Sequence, residues 1–440
     1  MECANRIQVL DKNDDVYSVI KKITEEGGLD ESFYVCDVSE LVWKCNNWKK
    51  LIPRIEPYYA VKCNDSRIVL QTMAALGTGF DCASREEIRR VLSLGVKPNK
   101  IVFANPTKKI SHIIYAAEMG ISAMTFDNEF ELYKIKKHYP GAELILRIKC
   151  DDVTAKYVLG QKYGADPEQE SERLLSLAKS LDLNVIGIAF HIGSGCSNYA
   201  IYLEALAAAR HVFDIGKSLG YVFRFLDIGG GFPAKKSNSI DEIAKYVNKG
   251  LAEYFSDTNL QIISEPGNYF VNSAFKLVSN IHSKRIITEA RKNGAKETSL
   301  RMYYIDVSLY TALIPVLFQE FYECRPVKSI PNAPEYPSII WGPTCDCSDK
   351  ISNGAVPMRD MEIGEWMIFE EAGGYTLSIA SEFNGFPVPD IHAVVNEEDW
   401  LFLTEKAPKP LSREKFVSSK NLESYLTGLG TPCTFRTNYF

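Results

Sequence analysis

The sequence predicts an α/β protein: a (β/α)8 barrel of the TIM type plus an all-β domain that the N-terminal segment completes. Short β-branched or aromatic runs at residues 58–62, 79–84, 100–106, 123–128 and 143–149 recur roughly every 20 to 23 residues. Three more, at 185–193, 223–231 and 260–267, follow at wider spacing. Between them lie patterns such as SREEIRRVLSLG and NYAIYLEALAAARHVFDIGKSLG, with apolar residues at i, i+3, i+4 and i+7.

Strands alternating with helices indicate parallel β/α units, which an open doubly wound sheet also satisfies. Eight of them within roughly 210 residues favour the closed barrel, whose usual size is about 250. Polar or glycine residues gather at the strand ends: Lys62, Asp81, Asn105, Arg147, His191, Gly230 and Glu265. In such barrels the strand C-termini form the active face. Core packing alone does not produce that repetition.

After about residue 270 the pattern changes to strand-like segments separated by Pro, Gly and Asn, including FKLVSNIHSKRII, RMYYIDVSLY, YPSIIWGP, EWMIFEEAG and DIHAVV. The expected division is an N-terminal segment 1–36 that joins the β domain, a barrel over 37–270, the β domain over 271–395 and an irregular surface tail over 396–440.

Composition narrows the function classes. With 46% hydrophobic and 24% charged residues, the chain can bury a sizeable core. Its 50 basic and 56 acidic residues leave a net charge of −6, without the basic excess of a general nucleic-acid binder. No apolar run approaches the roughly 18 residues of a membrane span. The opening MECANRIQVLDKNDD lacks the features of a secretory signal. Eleven scattered cysteines do not form a disulfide framework, and the lone C-x-C at Cys345 and Cys347 is weak as a metal site. A reducing cytosol is the expected compartment.

Lys62, in EPYYAVKCN, fits either a snorkelling surface lysine or a Schiff-base lysine with a lowered pKa. Glu265, in IISEPG, fits a structural carboxylate or a partner for the ring nitrogen of pyridoxal phosphate. The run LDIGGGFP fits a tight turn or a close approach to phosphate, and it lacks the G-x-G-x-x-G dinucleotide pattern. His191, in FHIGSG, is a core histidine or a flat ring that stacks on a cofactor, with the Ser194 hydroxyl reaching phosphate.

Taken together, YYAVKCN, FDCAS, ANP, FHIGSGC, LDIGGGFP, EPG, WGPTCD, the Gly374 and Tyr375 pair and FNGF resemble eukaryotic ornithine decarboxylases, within the fold type III pyridoxal-phosphate decarboxylases. The resemblance runs from about Ser32 to Pro389. It implies a barrel plus β domain, pyridoxal 5'-phosphate as cofactor, and a homodimer with shared active sites. It also implies polyamine biosynthesis, from ornithine to putrescine. By the same resemblance Lys62 is the Schiff-base lysine, Glu265 partners the pyridine nitrogen, and His191 stacks on the ring. Ser194, Gly230 and Tyr375 lie around the phosphate, while Asp81, Glu87 and Arg147 support the lysine and cofactor. Cys345 is the proton donor contributed by the second subunit, and Asp346 meets the substrate amine.

The chain departs from that pattern in a cluster. Asn268 stands where the family has a phosphate-binding arginine after EPG. Phe318 and Gln319 replace tyrosine–aspartate near the substrate's distal amine, with Glu320 adjacent. Residues 307–311, VSLYT, replace DGVYG, and Cys347 replaces the glycine of CDG. A neutral Gln319 beside Phe318 and Leu309 suggests a less cationic pocket. A non-catalytic binding protein like the antizyme inhibitors is the alternative to an enzyme. Retention of Asp81, Ser194, Tyr375 and Cys345 favours catalysis. The segment NPTKKISHIIYAAEMG occupies the family's antizyme-binding region, and its Lys108 and Lys109 read as a solvated helix start.

Overall fold

The structure, a computed structural model, describes residues 7–28, 30–150, 155–157, 159–233, 240–256, 259–289 and 298–414. Eight parallel strands form a closed barrel in chain order: Glu56–Ala60, Gly79–Cys82, Ile101–Phe103, Ala123–Phe126, Glu143–Ile148, Asn184–Phe190, Phe225–Asp227 and Gln261–Ser264. The ring closes where Ile263 faces Glu56 and Ser264 faces Pro57. Buried on both faces, these strands are nearly continuous apolar runs.

Side chains fill the barrel interior. Tyr58, Val102, Ile145, Ile186, Ala189, Phe225 and Ile263 form one buried cluster there. Gly79 makes room for the largest of them, because a Cβ at that position would lie 2.5 Å from the Tyr58 ring. The surrounding helices carry ordinary start signals. Ser84 accepts from the Glu87 amide at 3.3 Å to open Arg85–Ser93, and Asn128 accepts from the Glu131 amide at 3.0 Å to open Glu129–His138.

The second domain is a ten-stranded sheet. Its long strand Phe275–Glu289 pairs with Trp366–Phe369 at residues 277–280, then with Thr298–Ile305 from Ile281 onward, across an irregularity between Ile281 and Ser283. The N-terminal strand Phe33–Asp37 sits inside this sheet. It runs antiparallel to Phe275–Glu289 on one side and parallel to Asp390–Val395 on the other. Ile7–Val9 and then Arg413–Glu414 extend the sheet beyond Asp390–Val395. The Asp306 carboxylate ties the N-terminal segment in place, accepting from Ser32 Oγ at 2.6 Å, Ser279 Oγ at 2.8 Å and the Asn280 amide at 2.8 Å.

Two elements differ from expectation. A helix, Val16–Glu26, lies between the N-terminal strands, opened by the Asp15 side chain. The irregular tail expected from residue 396 instead begins with the helix Glu397–Lys406, which buries Trp400 and Leu403. Asn396 caps it through the Asp399 amide at 2.8 Å, and acidic residues fill its first turn. The remainder of that tail, past Glu414, lies outside the described residues.

Candidate active site

Lys62 is not on its strand. The first barrel strand ends at Ala60, and Lys62 sits in the single 3-10 turn Val61–Cys63 that follows. Its ammonium pairs with Asp81 Oδ2 from the end of the neighbouring strand. The side chain keeps 41% of its surface accessible, so the mouth of the barrel stays open beside it. Burial of the amine works against its charge, but Asp81, followed by Glu265 and Tyr375, more than offsets this and raises its pKa. The lowered lysine pKa expected from the sequence is therefore corrected. The strand-end carboxylates keep this amine protonated.

Asp81 is buried, and its second oxygen, Oδ1, has no hydrogen-bond partner. Glu87, in the first turn of the helix Arg85–Ser93 that follows, accepts from the Ala83 amide at 2.5 Å. Burial pushes the Glu87 carboxyl up to about 7, with Asp81 adding to the rise while the Ala83 amide and Lys62 oppose it.

Glu265 follows the eighth strand, and its amide donates to the Gly229 carbonyl at 2.8 Å. Burial, then the charges of Asp227 and Asp81, raise its carboxyl well above the usual range. Asp227 ends the seventh strand. Its Oδ1 accepts from the Gly229 amide at 2.8 Å, and its Oδ2 is buried without a hydrogen-bond partner. Burial also raises the Asp227 carboxyl. Two buried acids so close do not both ionise, and the pair retains a proton. Arg147, whose guanidinium lies over the Tyr163 ring, draws both acids down.

His191 follows the sixth strand, Asn184–Phe190, and its Nδ1 accepts from the Gly193 amide at 3.0 Å. Burial, with the charges of Arg147 and Lys62, holds its pKa well below the usual value, so the ring is neutral. The acceptor role of Nδ1 assigns the ring proton to Nε2. Gly230 packs against this ring. A Cβ there would stand 2.8 Å from the Glu265 carbonyl oxygen and 3.0 Å from His191 Nε2. Ser194 exchanges backbone hydrogen bonds with Tyr157, at 3.3 and 3.2 Å. Tyr375 comes from the β domain, and its amide donates to the Cys63 carbonyl at 2.8 Å. Asn268 Oδ1 accepts from Cys63 Sγ at 3.0 Å.

The remaining site residues form a separate group on the β domain. The Tyr310 hydroxyl donates to Asp346 Oδ2, and the Ser348 amide donates to Oδ1 at 2.9 Å. Tyr310, followed by Ser348, lowers the Asp346 pKa. The Cys345 amide donates to Asn384 Oδ1 at 3.1 Å, and the Tyr310 and Phe383 rings lie 4.7 Å apart. Both Cys345 and Cys347 are exposed. They line a cavity of about 310 Å³ with Trp341, Thr344, Asp346 and His282, and Lys62 is not among its lining residues. Phe318 and Gln319 lie exposed at the end of the 3-10 helix Ile314–Phe318, where Gln319 takes φ 61°. Glu320 is already engaged, with Lys156 Nζ 3.3 Å from its Oε1.

Two expectations change here. Leu309 does not line an open pocket; it is buried, and its amide donates to Asp349 Oδ1 at 2.8 Å. Lys108 is not a solvated helix start. It is buried, with its Nζ 3.0 Å from Glu131 Oε1 and 3.1 Å from the Asn105 carbonyl, and burial lowers its pKa to about 8. Asp227 and Asn384 escaped the sequence reading. An aspartate set inside the apolar run FRFLDIGGG was the available signal for the first.

The model of the pyridoxal-dependent decarboxylase pyridoxal binding domain matches residues 38–272, which span the barrel. The chain belongs to the ornithine decarboxylase family of pyridoxal-dependent decarboxylases. It is 42% identical over 388 residues to ornithine decarboxylase 2 of Drosophila melanogaster, covering 88% of this chain and 97% of that one. It is 40% identical over 378 residues to antizyme inhibitor 2 of Xenopus laevis, covering 84% and 82%. The arginine decarboxylase of Paramecium bursaria Chlorella virus superposes with a TM-score of 0.80 at 35% identity, over 86% of this chain and all of that one.

The residues at the barrel mouth fit this family's cofactor, pyridoxal phosphate. One amine, a proton-retaining acid pair, a neutral imidazole and a glycine turn meet there, and two buried carboxylate oxygens are left without partners.

Proposed function

We propose that this pyridoxal-phosphate-dependent decarboxylase acts on ornithine and releases putrescine, with its altered distal pocket weakening that substrate rather than excluding it. The observation that carries the reading is the Lys62–Asp81 pair at the barrel mouth, with Glu265 and His191 in electrostatic reach of the same amine.

Lys62 would hold the cofactor's aldehyde end, Glu265 its ring nitrogen and His191 its ring face. Ser194, Gly230 and Tyr375 would hold the phosphate, with Arg147 balancing charge between ring and acid pair. Bound pyridoxal phosphate supplies an electron sink, a protonated pyridine ring, for the electron pair freed as carbon dioxide leaves. Lys62 would have to lose a proton before its Nζ could hold the aldehyde carbon, and Asp81, paired with the charged amine, sets how readily that proton leaves. Glu265 and Asp227 retain a proton between them, which gives the ring nitrogen a proton to share. Neutral His191, its tautomer set by the Gly193 amide, adds no positive charge to the ring face. Asp346, oriented by Tyr310 and the Ser348 amide, meets the substrate's distal amine.

Cys345 Sγ would supply the proton that replaces the departing carbon dioxide. Within one chain Cys345 opens into a cavity that does not include Lys62, which supports a homodimer in which each Lys62 site is completed by the partner subunit's Cys345. The free thiols of Cys36, Cys45, Cys63, Cys82, Cys324, Cys345 and Cys347 suit a reducing cytosol.

A panel of carboxyl-labelled amino acids, assayed for carbon dioxide release at saturating pyridoxal phosphate, tests this function. Release from ornithine supports it. Release from no amino acid favours a second reading, an antizyme-inhibitor-like binding protein. Asn268 is the feature in favour of that alternative, since a neutral amide bonded to Cys63 occupies the family's arginine position. Antizyme capture by a chain without decarboxylase activity would establish it.

A further inference from the structure

The segment of residues 155–157 crosses from the phosphate side of the barrel mouth to the 3-10 helix that carries Phe318. On one side Tyr157 is bonded to Ser194 through both backbone groups, at 3.2 and 3.3 Å. The fit is close, since a Cβ at Gly193 would fall 2.6 Å from the Tyr157 carbonyl oxygen and one at Gly195 would fall 3.0 Å from Lys156 Cβ. On the other side Lys156 Nζ lies 3.3 Å from Glu320 Oε1, across 164 residues of sequence. The Tyr157 hydroxyl leans on the same carboxylate: burial, followed by Glu320, pushes its pKa up to about 12.

Glu320 follows Gln319 in a turn closed by the Gln319 amide on the Val316 carbonyl at 2.9 Å and the Glu320 amide on the Pro315 carbonyl at 3.0 Å. The half-buried Tyr322 ring packs against the main core beside this turn. Through the Lys156–Glu320 and Tyr157–Ser194 contacts the tip of the 3-10 helix is therefore joined to the barrel mouth at Ser194. Glu320 supplies a carboxylate at this tip, where its neighbour Gln319 is neutral.

We propose that Lys156 determines specificity: its ammonium occupies Glu320 and so reduces the site's preference for ligands with a distal cation. The inference rests on the amine-binding reading given above. A diamine must compete with Lys156 for Glu320, whereas a monoamine of equal length does not. The site then tolerates amino acids with an uncharged polar end alongside diamino acids.

Calorimetric titration of the pyridoxal-phosphate-loaded protein with putrescine and with n-butylamine tests this. In Lys156→Met the ratio of putrescine to butylamine affinity should rise about two- to fivefold, the factor that a half-exposed ion pair carries. Lys156→Arg should keep the wild-type ratio, and Glu320→Gln should erase the rise caused by Lys156→Met. Both side chains are 40% or more exposed, so the variants keep their fold, and an unchanged cofactor content verifies it. An unchanged or lower ratio in Lys156→Met overturns the proposal, as does an equal rise in the Glu320→Gln background. Failure of wild-type protein to bind either amine overturns the amine-site reading itself, a result distinct from an unchanged ratio.

Discussion

Lys62 and Asp81, 19 residues apart in sequence, form an ion pair between the ends of adjacent parallel strands, and Asp81 is the more deeply buried of the two. The pair holds the reactive amine in its charged form. Loading of cofactor needs the neutral form, so it should accelerate as pH rises toward the raised pKa of Lys62. Asp81→Asn removes the largest factor that raises this pKa and should shift the pH profile of the loading rate downward by about 1–3 units. Stopped-flow absorbance with added pyridoxal phosphate reads the profile, and borohydride followed by peptide mapping locates the bond at Lys62. A profile that does not move would remove Asp81 as the controlling charge.

Glu87 gives a pH dependence of opposite origin. Its folded-state pKa of about 7 lies above its unfolded value, so the folded protein binds more protons between about pH 4.5 and 7. Stability from this group is present at low pH and is lost as pH rises through that window. Glu87→Gln keeps an acceptor for the Ala83 amide and removes the titration. The mutant should gain on the order of 2 kcal/mol at pH 8 relative to its difference from wild type at pH 5. Denaturant melts at the two pH values measure it.

Asn268 provides a test of cofactor retention. Arginine at this position brings charge-assisted hydrogen bonds to a phosphate that the amide, engaged with Cys63, does not provide. Asn268→Arg should slow pyridoxal phosphate dissociation about tenfold or more. Asn268→Gln should change it little. Dissociation into an apo-enzyme trap provides the rate, and equal rates for all three proteins would show that residue 268 does not face the phosphate.

Mixing Lys62→Ala with Cys345→Ala chains tests the shared site. At equal mixing about half of the dimers are heterodimers, each with one intact site, and activity should approach about a quarter of wild type. Subunit exchange is followed with differently tagged chains. Exchange without recovered activity would place both residues in the site of a single chain.

Much of this architecture is legible in the sequence because barrel strands repeat at a regular interval and end in polar residues. Lys62, Asp81, His191 and Glu265 stand out in the sequence because each ends an apolar run, a local signal. Lys108 misleads because its partner Glu131 lies 23 residues away, and nothing in TKKIS distinguishes a buried lysine from a solvated one. Leu309 misleads for a related reason: the buried Asp349, forty residues away, draws its amide inward. The helix Glu397–Lys406 was readable from its Asn396 cap and acidic first turn, but the charge of EEDWLFLTEK outweighed a stripe of two large apolar residues. The raised pKa of Lys62 depends on the geometry of carboxylates from two other strands, which spacing alone does not determine.

The interior position of Phe33–Asp37 in the β sheet sets an order of assembly. This strand leaves the ribosome before any part of the barrel, yet one of its two sheet neighbours is Asp390–Val395, some 350 residues later. The barrel has all eight strands once Ser264 has emerged and can close on local β/α contacts. Throughout that interval the early strand has both edges unpaired, a state open to pairing with another chain. Substitutions that weaken the sheet should therefore lower the yield of soluble protein during synthesis more than they lower the stability of protein already folded.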